Sequence, residues 1–175
     1  MLDWRLPFVF HTSRLQASPA SLEAAGVFAE IIADPWVREP YFAGRLPNST
    51  SHADTAIWLQ TAHRWQEARR FSLAFSLRDD GAVIGGVQFT PRGIGYFVAR
   101  RFWRQGLGRE MVAASCSHLP PMLGIELLDA TVMRENFASR RILEQCGFAF
   151  VGMAMHTAPG QSGRIAMLRY RRRFS

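Results

Sequence analysis

Lysine is missing from the chain altogether, and all 21 basic side chains are arginine. Without lysine no lysine Schiff base can form, and no P-loop lysine can reach a nucleotide phosphate. The simplest origin of such a bias is genome base composition rather than a demand for guanidinium chemistry. Cysteine is nearly missing too: Cys116 and Cys146 stand thirty residues apart in apolar surroundings. That is the pattern of two reduced core thiols, not of a disulfide framework or a zinc site, and no metal is expected. No apolar run approaches the roughly 18 to 20 residues that would span a bilayer, so no membrane crossing is expected. The segment from Met1 to Phe10 carries Asp3 and Arg5 and has no small-residue cleavage site, unlike a secretory signal. A cytoplasmic location is the expectation. Internal repeats and low-complexity segments are also lacking.

What remains is a globular composition, with 175 residues of which 48% are hydrophobic and 20% charged. That length supports one domain, 1–175, with a sizeable core. The net charge of +7 favours an anionic ligand without naming it. Arg169, Arg171, Arg172 and Arg173 hold four of those charges, which leaves the body with about +3. This basic end reads as a solvated tail or as a contact between two copies in a homodimer.

Phe8, Phe10 and the residues up to Ala17 suggest a first strand, after which Ser18 as N-cap and Pro19 at the first helical position open a helix. Leu22, Ala25, Phe28, Ala29 and Ile32 repeat at helical spacing until Asp34-Pro35 ends it. From Trp36 to Thr50 the pattern is irregular and suits a flexible pocket wall. Ser51-x-x-Asp54 resembles a capping box ahead of Trp58, Ala62 and Trp65, which read as the core face of a second helix. Phe71 to Leu77, Ala82 to Phe89 and Ile94 to Ala99 read as strands joined by two short turns, hence consecutive antiparallel pairs. A helix from Gly106 to Ser117 follows, broken by Pro120-Pro121, then a strand from Glu126 to Val132. Strand, helix and strand in that order make a right-handed parallel crossover. A helix from Phe137 to Cys146 ends at Gly147, and strands at Phe148 to Met155 and Arg164 to Tyr170 complete the chain. The expected fold is α/β (α+β), a single domain with a mixed, mostly antiparallel sheet, a central parallel β-α-β crossover and helices on both faces.

In Arg100-Arg-Phe-Trp-Arg-Gln-Gly-Leu-Gly-Arg109 a strand runs into a glycine-containing turn that opens a helix. Such a turn aims several unpaired N–H groups at one spot, and the helix end adds about half a positive charge. Gly106 and Gly108 allow close backbone approach, and Arg104 and Arg109 can add charged contacts. The physics implies an anion site. The Lys-Ser/Thr of a P-loop and the third glycine of a dinucleotide fingerprint are both missing, which argues against nucleoside triphosphates and NAD.

Two motifs resemble the GCN5-related N-acetyltransferases, and within them the branch of ribosomal-protein N-terminal acetyltransferases. The first is Gly95-Tyr-Phe-Val-Ala-Arg-Arg-Phe-Trp-Arg-Gln-Gly-Leu-Gly-Arg-Glu110, similar to the family's strand and pyrophosphate loop. Trp103 stands where many relatives have Arg or Gln, and the pair Phe102-Trp103 is usual in the ribosomal-protein branch. The second is Asn136-Phe-Ala-Ser-Arg-Arg-Ile-Leu-Glu-Gln-Cys-Gly-Phe148, similar to that branch's Asn-x-x-Ser helix ending in Gly-Phe. Ser13-Arg-Leu15 followed by a helix extends the resemblance over most of the chain.

The resemblance implies that acetyl-CoA is the co-substrate. The backbone of Tyr96, Phe97 and Val98 would pair with the pantetheine arm, and Arg104, Gln105, Gly106, Leu107, Gly108 and Arg109 would hold the pyrophosphate. The amide of Asn136 would bond the cofactor near its reactive end, where the two central strands splay apart. An amine would attack the thioester directly, the oxyanion steadied by a backbone N–H such as that of Val98. Cys146 then needs no nucleophilic role. Many members protonate the departing thiolate with a tyrosine seven residues after the Asn, where this chain has Leu143. Ser139 of Asn-x-x-Ser is the implied donor instead, against the simpler alternative that it satisfies a helix carbonyl or touches the cofactor. The glutamates that serve as bases in relatives align with Arg92 and with Met155 to Gly160, where this chain has no carboxylate. His156 is the one titratable group of that late loop and stands as candidate base, with water as the alternative.

The implied acceptor is a protein N-terminus or a small amine. An α-amine titrates near 8 against roughly 10.4 for lysine, so the lack of a clear base leans toward a low-pKa amine. An aminoglycoside-type acetyltransferase is the second enzyme reading and would need converging carboxylates. The non-enzyme readings are a coenzyme A-binding relative without catalysis and, from the arginine-rich end, a nucleic-acid-binding module, which the other motifs do not support.

Overall fold

The computed structural model describes residues 9–42, 71–90, 93–157 and 164–174. A short hairpin of β1 (Phe10–His11) and β2 (Leu15–Pro19) leads into helices α1 (Leu22–Ala33) and α2 (Pro35–Phe42). Strands β3 (Phe71–Leu77), β4 (Val83–Thr90) and β5 (Gly93–Val98) follow, then a single 3-10 turn at Arg100–Phe102. The chain continues through α3 (Leu107–Leu123), β6 (Leu127–Met133), α4 (Phe137–Gln145), β7 (Ala149–Thr157) and β8 (Arg164–Arg173). The strands form one eight-stranded sheet in the order β1-β2-β3-β4-β5-β6-β8-β7. Every neighbouring pair is antiparallel except β5 and β6, which are parallel because α3 carries the chain across between them. The mixed sheet with its central crossover is the one expected from the sequence.

Alternation along the strands gives the sheet two different faces. Leu15, Phe75, Ile84, Val87, Leu128 and Tyr170 are buried in a core shared with Met111 and Leu119 of α3. On the other face Ala74 and Phe97 pack with Phe28, Ile32 and Val37 of α1 and α2. Burying each such large side chain stabilises the fold by roughly 1.5–3 kcal/mol, enough to fix strand register wherever both faces are covered.

Four local expectations are corrected. The first helix opens later than Ser18-Pro19: Ser18 and Pro19 extend β2 opposite Ala74 and Leu73, and Ser21 is the N-cap, its Oγ accepting from Ala24 N at 3.2 Å. Pro19 closes the strand, where its lacking N–H removes no ladder bond from the interior. Asp34-Pro35 does end α1, but it also starts α2. Asp34 Oδ1 accepts from Trp36 N at 3.0 Å, and Pro35 takes the first helical position, so 35–42 is helix rather than irregular wall. Pro120-Pro121 does not break α3. The two prolines remove donors for the carbonyls of Cys116 and Ser117, yet Leu119, Pro120 and Leu123 are buried, and Gly124 at φ 63° closes the helix by bonding Pro120 O.

The arginine-rich end, finally, is not a tail. Through Arg173 it is strand β8, paired on one side with β6 and on the other with β7. Arg169 and Arg171 on either side of buried Tyr170 hide the alternation that puts it, with partly buried Leu168, on the core face. The capping box at Ser51, the face of Trp58, Ala62 and Trp65, and residues 158–163 lie outside the described residues.

Candidate active site

β5 and β6 share a single register pair, Gly93 with Asp129, and then diverge. From β2 to β5 and from β6 to β7 the neighbouring strands carry extended ladders, so this is a break in the middle of the sheet. A cleft of about 420 Å³ opens there. It reaches both faces: Pro40 and Tyr41 of α2 line one end, and Asn136, Ser139 and Leu143 of α4 the other.

The backbone of β5 explains what this break offers. Ala99 N–H donates to Ile84 O at 2.7 Å, so with two-residue alternation Phe97 and Gly95 also turn their backbone groups to β4. The N–H and C=O groups of Tyr96 and the N–H of Val98 therefore point into the break, where β6 gives them no ladder partner. Val98 O accepts the indole N–H of Trp103 at 2.8 Å. The three expected strand residues thus divide. Tyr96 and Val98 present backbone groups to the cleft. Phe97 spends its backbone on β4 and buries its ring against Phe28 and Tyr41, both at 5.0 Å between centroids.

Beyond β5 the chain turns through Arg104, with φ of 61°, and Gly106, with φ of 77°, into the first turn of α3. Gly106 is the N-cap and no side chain caps the helix. The first intrahelical bond is Glu110 N to Gly106 O at 3.1 Å, which leaves the N–H groups of Leu107, Gly108 and Arg109 directed out of the helix end. Leu107 is buried and pins the turn from below, while Arg104, Gln105 and Arg109 are exposed. Gln105 folds its amide back onto Arg101 O at 3.1 Å. A Cβ on Gly108 would stand 3.2 Å from Ile142 Cδ1 and 3.4 Å from Val98 Cγ2, so glycine lets α3 approach α4 and β5 closely.

A carboxylate at a helix N-terminus would compete with an anionic ligand, but that of Glu110 is already neutralised. Arg14 pairs with it at 2.5 Å, Thr12 Oγ donates to it, and Arg14 also donates to Gln105 O at 2.9 Å. Partial burial works against ionisation of Glu110, but the hydrogen bonds from Thr12 and Arg14 outweigh it and hold its pKa below the ordinary value. The N-terminal hairpin thus fastens the anion turn without adding negative charge to it.

On the opposite wall Asn136 is the N-cap of α4, its Oδ1 accepting from Ser139 N at 3.1 Å. Any ligand contact of Asn136 therefore falls to its NH2 group. Ser139 lies one turn into the helix and Leu143 one turn further, buried on the same wall. Tyr170 holds the helix in place, donating to Glu144 Oε1 at 2.9 Å and accepting from Arg140 Nε at 3.3 Å. Cys146 caps α4, with its thiol on Arg109 O at 3.8 Å. Burial raises the pKa of Cys146, and pushes that of Cys116 to about 12, so both remain structural thiols. His156 is part of β7, opposite Ile165, and its side chain lies outside the described residues.

Three groups escaped the sequence reading. The phenol of Tyr96 lies 2.7 Å from Ser139 Oγ and also donates to Ser139 O at 3.2 Å. Burial raises its pKa well above that of an ordinary tyrosine, so it stays protonated. Alternation with Ile94 and Val98 could have shown it facing α4. Tyr41 donates to Gln88 Oε1 at 3.0 Å across the α2 end of the cleft. Asp129 is gripped by Arg171, Nε to Oδ1 at 2.6 Å and Nη2 to Oδ2 at 2.9 Å, and this pairing lowers its pKa. No spacing in the sequence announces either pair.

A mixed sheet split at one parallel pair, with a glycine-headed helix at the end of one strand and an Asn-capped helix at the other, defines an acyl-coenzyme A transferase fold. The chain belongs to the acetyltransferase (GNAT) domain family, which residues 14–149 match. It is 29% identical over 116 residues to YoaA of Bacillus subtilis (strain 168), an uncharacterised N-acetyltransferase; the match covers 62% of this chain and 66% of that protein, just under two thirds. Among solved structures it superimposes on apo RimL, the ribosomal L7/L12 α-N-protein acetyltransferase, with a TM-score of 0.82 at 14% identity over 99% of this chain and 98% of that one. The ribosomal-protein-S5-alanine acetyltransferase of Vibrio fischeri gives 0.77 at 13% identity, covering 95% and 96%. At such identities these structures establish the shared fold.

Proposed function

We propose that the chain is an acetyl-CoA-dependent N-acetyltransferase that passes the acetyl group directly to a primary amine, with a polypeptide N-terminus as the preferred acceptor. The observation that carries this reading is the break between β5 and β6. Unpartnered backbone groups of Tyr96 and Val98 border it, with the uncapped end of α3 beyond one strand and Ser139 on the facing wall.

The residues fit the co-substrate. Tyr96 N–H and C=O form the free edge of a strand, suited to amide groups of a pantetheine arm, and the N–H groups of residues 107–109 with Arg104 and Arg109 suit a pyrophosphate. Bound there, acetyl-CoA supplies a thioester carbonyl open to attack by a neutral amine. Val98 N–H is the donor available where charge builds on the carbonyl oxygen. Ser139 donates its proton toward the departing sulfur, and the Tyr96 phenol, kept protonated by burial and 2.7 Å from Ser139 Oγ, turns its O–H from Ser139 O to that oxygen as the proton leaves. Asp129 is the carboxylate on the described cleft wall, and its ion pair makes it a poor base. The amine therefore arrives neutral or loses its proton to water, which favours an α-amine. His156 is retained as a candidate base only.

The same ion pair weighs against the aminoglycoside reading, since Arg171 already neutralises the carboxylate a polycation would need. The nucleic-acid reading loses its tail: Arg171 is held by Asp129 and Arg172 donates to Cys146 O at 2.6 Å. Among the described residues no helix is long and apolar enough to cross a membrane, and both thiols are free, which together support a cytoplasmic enzyme.

A thiol-release assay with acetyl-CoA and a panel of peptides and small amines tests the reading. Release matched by acetylated peptide α-amine is expected. Tight acetyl-CoA binding without release to any amine would overturn it in favour of a binding protein.

A further inference from the structure

The face of the sheet that carries α2 holds two side chains, Gln88 and Arg169, each with a buried unpaired donor. Gln88 of β4 stands opposite Gly95 of β5. Because Gly93 is level with Asp129 and the strands are parallel, Gly95 is level with Thr131 across the break. Thr131 in turn stands opposite Arg169 of β8. Gln88, Gly95, Thr131 and Arg169 therefore form one transverse row, two on each lip of the break.

All four lie on the α2 face. The amide of Gln88 reaches Tyr41, a Cβ on Gly95 would touch the Tyr41 ring, and Leu128, Ala130 and Val132 take the other face of β6. Tyr41 donates to Gln88 Oε1, which orients the amide and leaves Nε2 as its donor. That Nε2 is buried on the cleft wall with no hydrogen-bond partner. Arg169 Nε is likewise buried without one. The carboxylate of Asp129, in the next row, gives both oxygens to Arg171 and meets Arg169 through charge alone. A buried unpaired donor is costly; Gln88 lines the cleft and Arg169 stands one strand behind Thr131 of its wall, and donors so placed signal a ligand that pairs them.

We infer that Gln88 and Arg169 set acceptor specificity: Gln88 Nε2 holds the first peptide carbonyl of the acceptor, and Arg169 selects an acidic side chain close behind its α-amine. This rests on the proposed acetyl transfer at the break. Both groups are donors, so both call for oxygen acceptors, and the cation calls for a charged one. Gln88 and Arg169 stand three strand spacings apart, about 14 Å, of which their own side chains span roughly half; at about 3.3 Å per residue the remainder puts the acidic residue third in the acceptor.

The test compares peptides with Glu, Gln or Lys at position three, and benzylamine, an amine with no carbonyl, at saturating acetyl-CoA. The wild type is expected to prefer the Glu peptide over the Lys peptide by about tenfold in kcat/KM, the scale of one charge-assisted hydrogen bond. Gln88→Met should raise KM for every peptide about fivefold without raising that for benzylamine, the loss of one neutral hydrogen bond. Gln88→Glu, which keeps the shape and removes the donor, should do the same, and Arg169→Met should erase the Glu-over-Lys preference. Equal use of the three peptides by the wild type, or Gln88 variants with unaltered peptide KM, would overturn the inference. If the wild type releases no thiol with any amine, the acetyl-transfer reading fails by itself. Calorimetry of the same peptides on the coenzyme A-loaded protein then decides the row: tighter binding of the Glu peptide sustains it, and equal affinities overturn it.

Discussion

The two ends of the cleft are assembled in opposite ways. Toward α3 and α4 the functional groups come from two continuous stretches, 96–109 and 136–143, and several of them are backbone N–H groups. Toward α2 they are side chains of residues 41, 88, 129, 169 and 171, brought together by the register of four strands and one helix. A site made from backbone and local turns can be read along the chain and tolerates side-chain change. One made from register cannot be read that way, and its side chains are free to differ with the acceptor. The contrast fits the proposal that the first end binds the cofactor and the second chooses the acceptor.

Breaking the first end should have the larger consequences. Replacing Ser139 by Ala should lower kcat by about a hundredfold, the scale of one general-acid contribution, with acetyl-CoA affinity unchanged by calorimetry. Gly106→Val forces a β-branched residue to a φ of 77° at the N-cap of α3. The free protein relieves that strain of about 2 kcal/mol by letting the turn leave its binding shape, so acetyl-CoA, which must restore it, should bind roughly thirtyfold more weakly. Tyr96→Phe removes the phenol that meets Ser139 Oγ but keeps the ring, and should lower kcat about tenfold, the worth of one buried hydrogen bond.

Smaller effects sharpen the comparison. Glu110 has a lowered pKa, so its contribution to stability is present above the ordinary carboxyl value of 4.5 and is lost as pH falls through the lower folded value. Melting temperature should therefore fall below pH 4.5 more steeply in the wild type than in Glu110→Gln, and modestly, because Arg14 is half exposed. Least of all, His156→Ala should leave the pH profile of kcat/KM with its limb near the amine's own pKa. A shift of that limb by the variant would restore His156 as the base.

Much of the fold was legible because its signals are local. The antiparallel run from Phe71 to Val98, the crossover through α3 and the cap at Gly147 each depend on neighbours within a few residues. The misread places share a different cause. In the sequence Pro19, Pro120 and Pro121 read as helix punctuation, yet burial of Leu119 and Leu123 and pairing with Leu73 decide otherwise. The arginines of β8 read as a tail because their charge masks the alternation that buries Tyr170. In the site, the turn at Gly106 and the Asn136 cap were visible as motifs. The phenol of Tyr96 was not assigned, since its partner stands 43 residues later on a helix whose docking angle no motif states.

The claim that the break between β5 and β6 is where acetyl-CoA meets an amine is tested most directly by a difference experiment on one enzyme preparation. Thiol release and acetylated peptide are measured together with a peptide α-amine, for the wild type and for Ser139→Ala. The account predicts one acetylated α-amine per thiol released, and a variant that binds acetyl-CoA as tightly but turns over about a hundredfold more slowly. Equal turnover by the two proteins would contradict it.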